Sequence, residues 1–408
     1  MKKRILRFLT VILTLLLLAG CAGTPAAPSE DSTVPLPTEP DELVFNGTSY
    51  PLDVESLDIG PYYLEQLRWA TKLNYLAITG REPDSWEFLG ELPDTLCTLY
   101  LNITVGTGDS GELNLELSEY LLPELEQFIL GVSRAAGAVT LPDMAAEWGT
   151  VEFSQGIKQL DASTAEIANM VLALSETPET LKLGPGLKSL DCEGFALDSA
   201  ALEGQTELIS LTLSAAQDLS FLADLPALEM LSLSGDGWDL TPAAQTNLRR
   251  VLLLKGSCDL SPLVNSGVEE VATQGADTEA IASLAGMQSL KSLQISDEKV
   301  TDLSVLTELP NLETLILMVS EMQTHAEMAE RTLTTASADA LERLDTGLPK
   351  EQLAAFLERG GTISILPDYE LAAHFISLRF CKRGIQKTLA AFFRKTAFCQ
   401  SELIDFFI

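Results

Sequence analysis

The chain is poor in the residues on which most chemistry and all nucleic-acid binding depend. Only two of its 408 residues are histidine, His325 and His374, and neither stands in a Ser, Cys or metal motif, so no general base and no imidazole ligand set is visible. Lys and Arg number 26 against 59 Asp and Glu, a formal net charge of −33. A phosphate backbone must be met by cations, which excludes nucleic acid as a partner and disfavours flat adsorption on an anionic bilayer. Cysteine is sparse: beyond Cys21 there are Cys97, Cys192, Cys258, Cys381 and Cys399, too widely separated for a metal-ligand spacing. Cys192 fills a slot where a strand would take Leu or Val, Cys258 lies just after a strand, and Cys381 with Cys399 is a candidate disulfide in an oxidising compartment. The abundant carboxylates pair by chance too easily to select a glycosidase site. Gly235-Asp236-Gly237 and Gly184-Pro185-Gly186 lack the remaining positions of a calcium loop or a phosphate cradle and read as turns. The sequence therefore supplies no catalytic residue, no metal site and no cofactor motif.

What is present begins at the N-terminus. Lys2, Lys3, Arg4 and Arg7 precede the apolar run Phe8 to Leu18, which is too short to span a membrane comfortably and ends in the small pair Ala19-Gly20. Residues 1–20 read as a removable export signal, and their loss makes the net charge more negative by four. Cys21, directly after Leu18-Ala19-Gly20, resembles the lipobox of bacterial lipoproteins. That resemblance implies a thioether-linked diacylglyceride on Cys21, cleavage just before it, and a mature chain anchored to the bacterial membrane or envelope and facing outward. Residues 21–42, rich in Pro, Ser, Thr and acids, form a spacer between lipid and domain.

An internal period organises the chain beyond the spacer. Leu208, Leu228, Leu248, Val268, Leu290 and Leu312 each open one apolar phrase, written out in Leu208-x-x-Leu211-x-Leu213, Leu228-x-x-Leu231-x-Leu233 and Leu290-x-x-Leu293-x-Ile295. The period-two part predicts a short strand with one inward face. Sets such as Leu219, Leu222 and Leu225 predict a short helix or 3₁₀ turn that closes the coil. No coil could fold alone, since each covers its neighbour's apolar face. Earlier copies start at Leu73, Leu96 and Leu187, Leu57 with Ile59 is a candidate capping strand, and Leu181 with Leu183 a further strand. Between Leu113 and Val171 the period blurs: Leu121 to Leu130 reads as a helix, Val139 to Leu141 as a strand, and Ile157 with Leu160 as the start of another coil.

This grammar resembles the leucine-rich repeat family, and DLSFLADLPALEMLSL and VTDLSVLTELPNLETLIL look like the short repeats of bacterial surface leucine-rich proteins. The resemblance implies an α/β solenoid with short parallel strands on its concave side and short helical or 3₁₀ returns. One departure stands out. The slot that commonly holds Asn after the strand carries Phe195, Ala216, Asp236, Gly256, Ala276 and Glu298, so the usual side-chain ladder at the turn is missing or replaced.

Residues 43–320 are read as one repeat domain with an irregular middle, with two subdomains divided near residues 176–186 as the alternative. Residues 321–374 form a C-terminal cap, in which Glu321 to Leu344 can be helical, Lys350 to Arg359 is a short amphipathic helix and Thr362 to Leu366 a strand. Residues 375–408 are a tail, basic and apolar from Phe375 to Ser401, with three uses open: packing on the acidic solenoid, lying at a lipid surface, or adding little.

Function then rests on surface recognition. The outward strand positions Thr212, Ser214, Ser232, Ser234, Leu252, Leu254, Gln294 and Ser296 are the binding candidates, with Ile316 and Met318 further along and Arg249 and Arg250 near one edge. They point to a lipid-anchored surface or envelope protein that recognises another protein, of basic character if charge decides. A non-catalytic glycan-binding or structural envelope component, or less favourably an accessory to a hydrolase, is the alternative.

Overall fold

Each Leu-x-x-Leu-x-Leu phrase turns a corner and then runs as a strand. The computed structural model describes residues 39–104, 112–296, 299–319, 334–335 and 348–367. The expected lipidation residue Cys21, the expected signal and spacer, most of 321–344, the basic tail, both histidines, Cys381 and Cys399 lie outside the described residues. Chain contacts set Met1–Asp41 apart from Glu42–Ile408, and the repeats belong to the second unit.

Fifteen strands make one long sheet that runs in chain order from Ser56–Ile59 to Thr362–Pro367, parallel apart from a two-residue edge strand at Thr334–Thr335. Inward residues stack in register along it: Leu190 pairs with Leu211, Leu211 with Leu231, Leu231 with Val251 and Val251 with Val271. All five are at most 2% exposed and belong to one continuous apolar core. A buried Leu contributes roughly 1.5–3 kcal/mol, so the stacked inward rows dominate stability. Short 3₁₀ segments, among them Ser199–Leu202, Ser220–Asp224 and Ser304–Glu308, and a helical turn at Thr278–Ala282 return the chain between strands.

The corner itself has a simple cause. The two residues between the anchor and the strand both face outward, and both of their N–H groups donate to one carbonyl of the preceding coil. Thus Arg249 and Arg250 donate to Glu229 O, Glu269 and Glu270 to Arg249 O, and Lys291 and Ser292 to Glu269 O. Sharing one acceptor between two donors bends the chain sharply while leaving no amide unsatisfied.

The blurred middle is regular in space. Leu125–Val132, Met144–Phe153 and Ala165–Leu174 are strands of the long sheet, with Phe128, Gly149, Met170 and Leu190 in register. Here the returns are strands too: Leu113–Glu116, Ala136–Thr140, Ile157–Asp161 and Thr180–Lys182 form a second parallel sheet of four. The helix expected over Leu121 to Leu130 is absent, and the corner explains the misreading. Leu125 and Phe128 are three apart because Glu126 and Gln127 turn outward at the corner, and alternation resumes at Phe128, Leu130 and Val132. The three-residue gap imitates a helical period. The strands expected near Val139 and Leu181 are returns of the second sheet, and Ile157 with Leu160, expected to start a coil, lies on a return strand of the same sheet.

The Asn ladder is replaced by side chains reaching into a neighbouring coil. Gln217 brackets Leu197, its Oε1 accepting from Leu197 N at 2.7 Å and its Nε2 donating to Leu197 O at 2.9 Å. Asp236 Oδ1 accepts from Ser257 N at 2.8 Å, and Ser283 Oγ accepts from Leu260 N at 3.1 Å. Buried backbone groups are met without a repeated Asn.

Both ends are closed by different devices. The hairpin Leu43–Phe45 and Thr48–Tyr50 turns at Asn46-Gly47, both at positive φ, and buries Leu43 and Phe45 against the first coil. At the other end the helix Lys350–Glu358 buries Leu353 and Phe356. Gln352 accepts from Leu303 N and donates to Asp302, while Arg359 donates to the carbonyls of Leu306 and Leu309. These are the polar groups that a further 3₁₀ return would otherwise meet. Cys192 is fully buried, and burial first, with Asp259 beyond it, pushes the Cys258 thiol up to about 11.

Candidate recognition face

The outward side chains of the long sheet form columns fixed by register. The central column reads Asp58, Ala77, Tyr100, Ile129, Thr150, Val171, Asp191, Thr212, Ser232, Leu252, Ala272, Gln294, Ile316 and Ser364. Its two halves differ in character.

All eight binding candidates lie on outward positions, in two of these columns, but four are closed off. Ser232, Leu252, Gln294 and Ser296 are each at most 4% exposed. Small groups between larger ladder neighbours are shaded: Ser232 sits between Thr212 and Leu252, and the Gln294 amide reaches Met318 Sδ at 3.0 Å. Met318 is itself fully buried, packed with Leu254 and Ile316 in a second apolar cluster on this face. Ser214 is half-buried, and its hydroxyl accepts from Gly194 N at 2.7 Å, a structural duty. Thr212, Ser234 and Leu254 are half-buried. At the edge, Arg250 pairs with Glu270 and Lys291 with Glu269, so that half of the corner row neutralises itself.

In the first half Asp58 is exposed, Tyr100, Ile129, Thr150, Val171 and Asp191 are half-buried and Ala77 is buried. Tyr75 and Tyr100 stand in adjacent columns, and both phenols are pushed up by burial, then Tyr75 by Asp58 and Tyr100 by Glu152. Partial desolvation, followed by Asp191 and Glu152, raises the Glu193 carboxyl. Negative charge thus accumulates along this face without a matching cation in its columns.

A groove of about 850 Å³ follows the corner row beside it. Leu125, Ala146, Trp148 and Met230 give it an apolar floor, Ile209 is 44% exposed within it, and Glu124, Glu126, Glu147 and Glu166 line its rim. Lys188 is the single cation among its lining residues. Corner positions supply Glu126, Glu147, Trp148, Lys188, Ser189, Ile209 and Ser210 among them. They were readable as the x-x of each phrase once the anchors at Leu125 and Ala146 were recognised.

Among the described residues no group of three or more His, Cys, Asp or Glu is arranged to hold a metal ion. No family model matches the chain, and no curated protein matches it in sequence. Among solved structures it is similar to an internalin of Listeria monocytogenes at 20% identity, over 67% of this chain and 78% of that one, with a TM-score of 0.33.

Proposed function

We propose that this chain is an exported, lipid-anchored protein of the leucine-rich repeat class that recognises a partner protein with the outer face of its long sheet and carries out no turnover. The observation that carries the reading is the ladder of outward side chains, one per strand, held by a core that none of them helps to build in the first half of the sheet. A rigid array of this kind spreads contacts over many strands and concentrates none of the groups needed for chemistry at one point. The basic-apolar-small-Cys segment ending at Cys21 supports export and a lipid tether on the envelope.

Two measurements test this. A photo-crosslinking residue at position 100, on the outer face, should give discrete protein adducts on intact cells, while one at Gln159, exposed on the second sheet, should not. Equal labelling from both positions, or adducts with glycan alone, overturns protein recognition by this face. Replacing Cys21 by Ser should release the chain from the membrane fraction and abolish incorporation of a clickable fatty acid. Retention with full labelling overturns the lipid assignment.

A further inference from the structure

We infer that the groove along the corner row, from Asp94 to Met230, is the docking site for a cationic, extended segment of the partner, in which Lys or Arg alternates with apolar residues. The inference rests on the proposed recognition of a protein and specifies where the partner binds and by what chemistry.

Apolar surface gives the first reason. A soluble chain seldom leaves a connected apolar floor open beside a large exposed Ile without a use for it, and Trp148, Met230 and Ile209 line one continuous groove.

Charge identifies the occupant. Along the later corners the residues run Glu229, Arg249, Glu269, Lys291 and Glu313, each opposite in sign to its neighbours, and the ladder neutralises itself. At the groove the corresponding positions are Glu126 and Glu147, on adjacent strands about 4.8 Å apart, and neither enters an ion pair among the described residues. Like charges on neighbouring strands repel. A cation placed between them relieves that repulsion and gains both attractions, whereas an anionic or neutral segment gains neither. Trp148 adds a ring face that Lys or Arg can cover.

Geometry selects the extended form. An extended segment sends successive side chains to opposite sides, so one set can be charged and the other apolar along a groove that crosses several strands. Alternate residues would meet the carboxylate rim, and those between them the apolar floor. Lys188, with only Ile209, Ser210 and Met230 lining the groove on the strands beyond it, separates the acidic part of the groove from an uncharged part.

The test is fluorescence anisotropy on the mature full-length chain with short labelled peptides that alternate Lys with Leu or Phe, and with matched peptides carrying Glu for Lys. The Lys peptide should bind, the Glu peptide should not, and affinity should fall as salt rises. Glu126→Gln with Glu147→Gln should weaken binding at least about tenfold and flatten the salt dependence, with a urea midpoint no lower than the parent's, because both side chains are exposed and their mutual repulsion is relieved. Equal binding of the two peptides, or undiminished binding by the double variant, overturns the inference. Binding at least about tenfold tighter in a chain lacking residues 375–408 also overturns it, because the occupant is then the chain's own basic tail. Persistent crosslinks from position 100 alongside any of these failures leave the broader recognition reading standing, while their loss removes that reading too.

Discussion

Lys291 Nζ lies 3.0 Å from Glu269 Oε1, one coil away at the same corner of the solenoid. The hydrogen bond from Lys291, then its charge, hold the Glu269 carboxyl below the ordinary range. Because the corner row alternates from Glu229 to Glu313, replacing Lys291 by Glu would set three carboxylates on successive coils. The variant should melt earlier than the parent at low ionic strength. Near 1 M salt, where screening acts over about 3 Å, the difference should vanish. A deficit that persists in high salt would assign the loss to packing instead of repulsion.

Leu252 and Ile209 separate packing from exposure on the same face. Leu252 is 4% exposed although it points away from the main core, and Ile209 is 44% exposed. Leu252→Ala should cost about 2–3 kcal/mol, and Ile209→Ala should stay within about 0.5 kcal/mol, both by urea denaturation. Only the second should weaken binding of the cationic peptide. A negligible effect of Leu252→Ala on stability would return Leu252 to the candidate contact surface.

Gly184 and Gly186 are two residues apart and should respond differently to alanine. A Cβ on Gly184 would lie 1.8 Å from the Ala165 carbonyl oxygen, backbone that cannot swing aside. Its own carbonyl also accepts from Gln205. Gly184→Ala should therefore cost about 3 kcal/mol or more. Gly186 has φ +80° with open space around it, so its alanine variant should lose only about 1–2 kcal/mol from the left-handed backbone. Thermal melts of the pair decide whether close coil packing at this turn is as described.

These contrasts show what the sequence discloses and what it withholds. The inward rows were legible because strand burial imposes a period of two and coil stacking a period near twenty, and Leu211, Leu231 and Val251 obey both. Return segments such as Leu219, Leu222 and Leu225 were equally plain. The middle coils were hidden because Glu126-Gln127 and Glu147-Trp148 insert a corner that looks helical when the anchor after it is Phe128 or Gly149 instead of Leu. Asn46-Gly47 carried a hairpin signal beside Phe45 that apolar periodicity alone passes over. The exposure of Ser232, Leu252, Gln294 and Ser296 was misjudged for another reason: outward direction is set by alternation, but exposure depends on neighbours in other coils, such as Met318 beside Gln294. No spacing rule within one coil contains that information.

Acid sensitivity should come from one repeated device at the entrance of the returns. Asp218, Asp239 and Asp259 accept from the backbone N–H two residues on, each at 2.9 Å, and Asp302 does so at 3.1 Å. Hydrogen bonds from Ser220, Thr241 and Ser261 lower the first three carboxyls, and Asp302 is lowered first by Gln352 and then by Ser304. A carboxyl lowered in the folded state binds its proton less readily there than in the unfolded chain, whose Asp value is about 3.9. Its contribution is complete above that value and is lost as pH falls through the lower, folded value. The urea midpoint should consequently drop as pH decreases below about 4. Replacing all four by Asn keeps an acceptor at each turn but removes the titration, so the variant should show a shallower acid limb. Parallel limbs in the two proteins would mean that these turns gain nothing from ionisation and that the acid limb arises elsewhere, with Asp161 beside Lys182 as the next pair to examine.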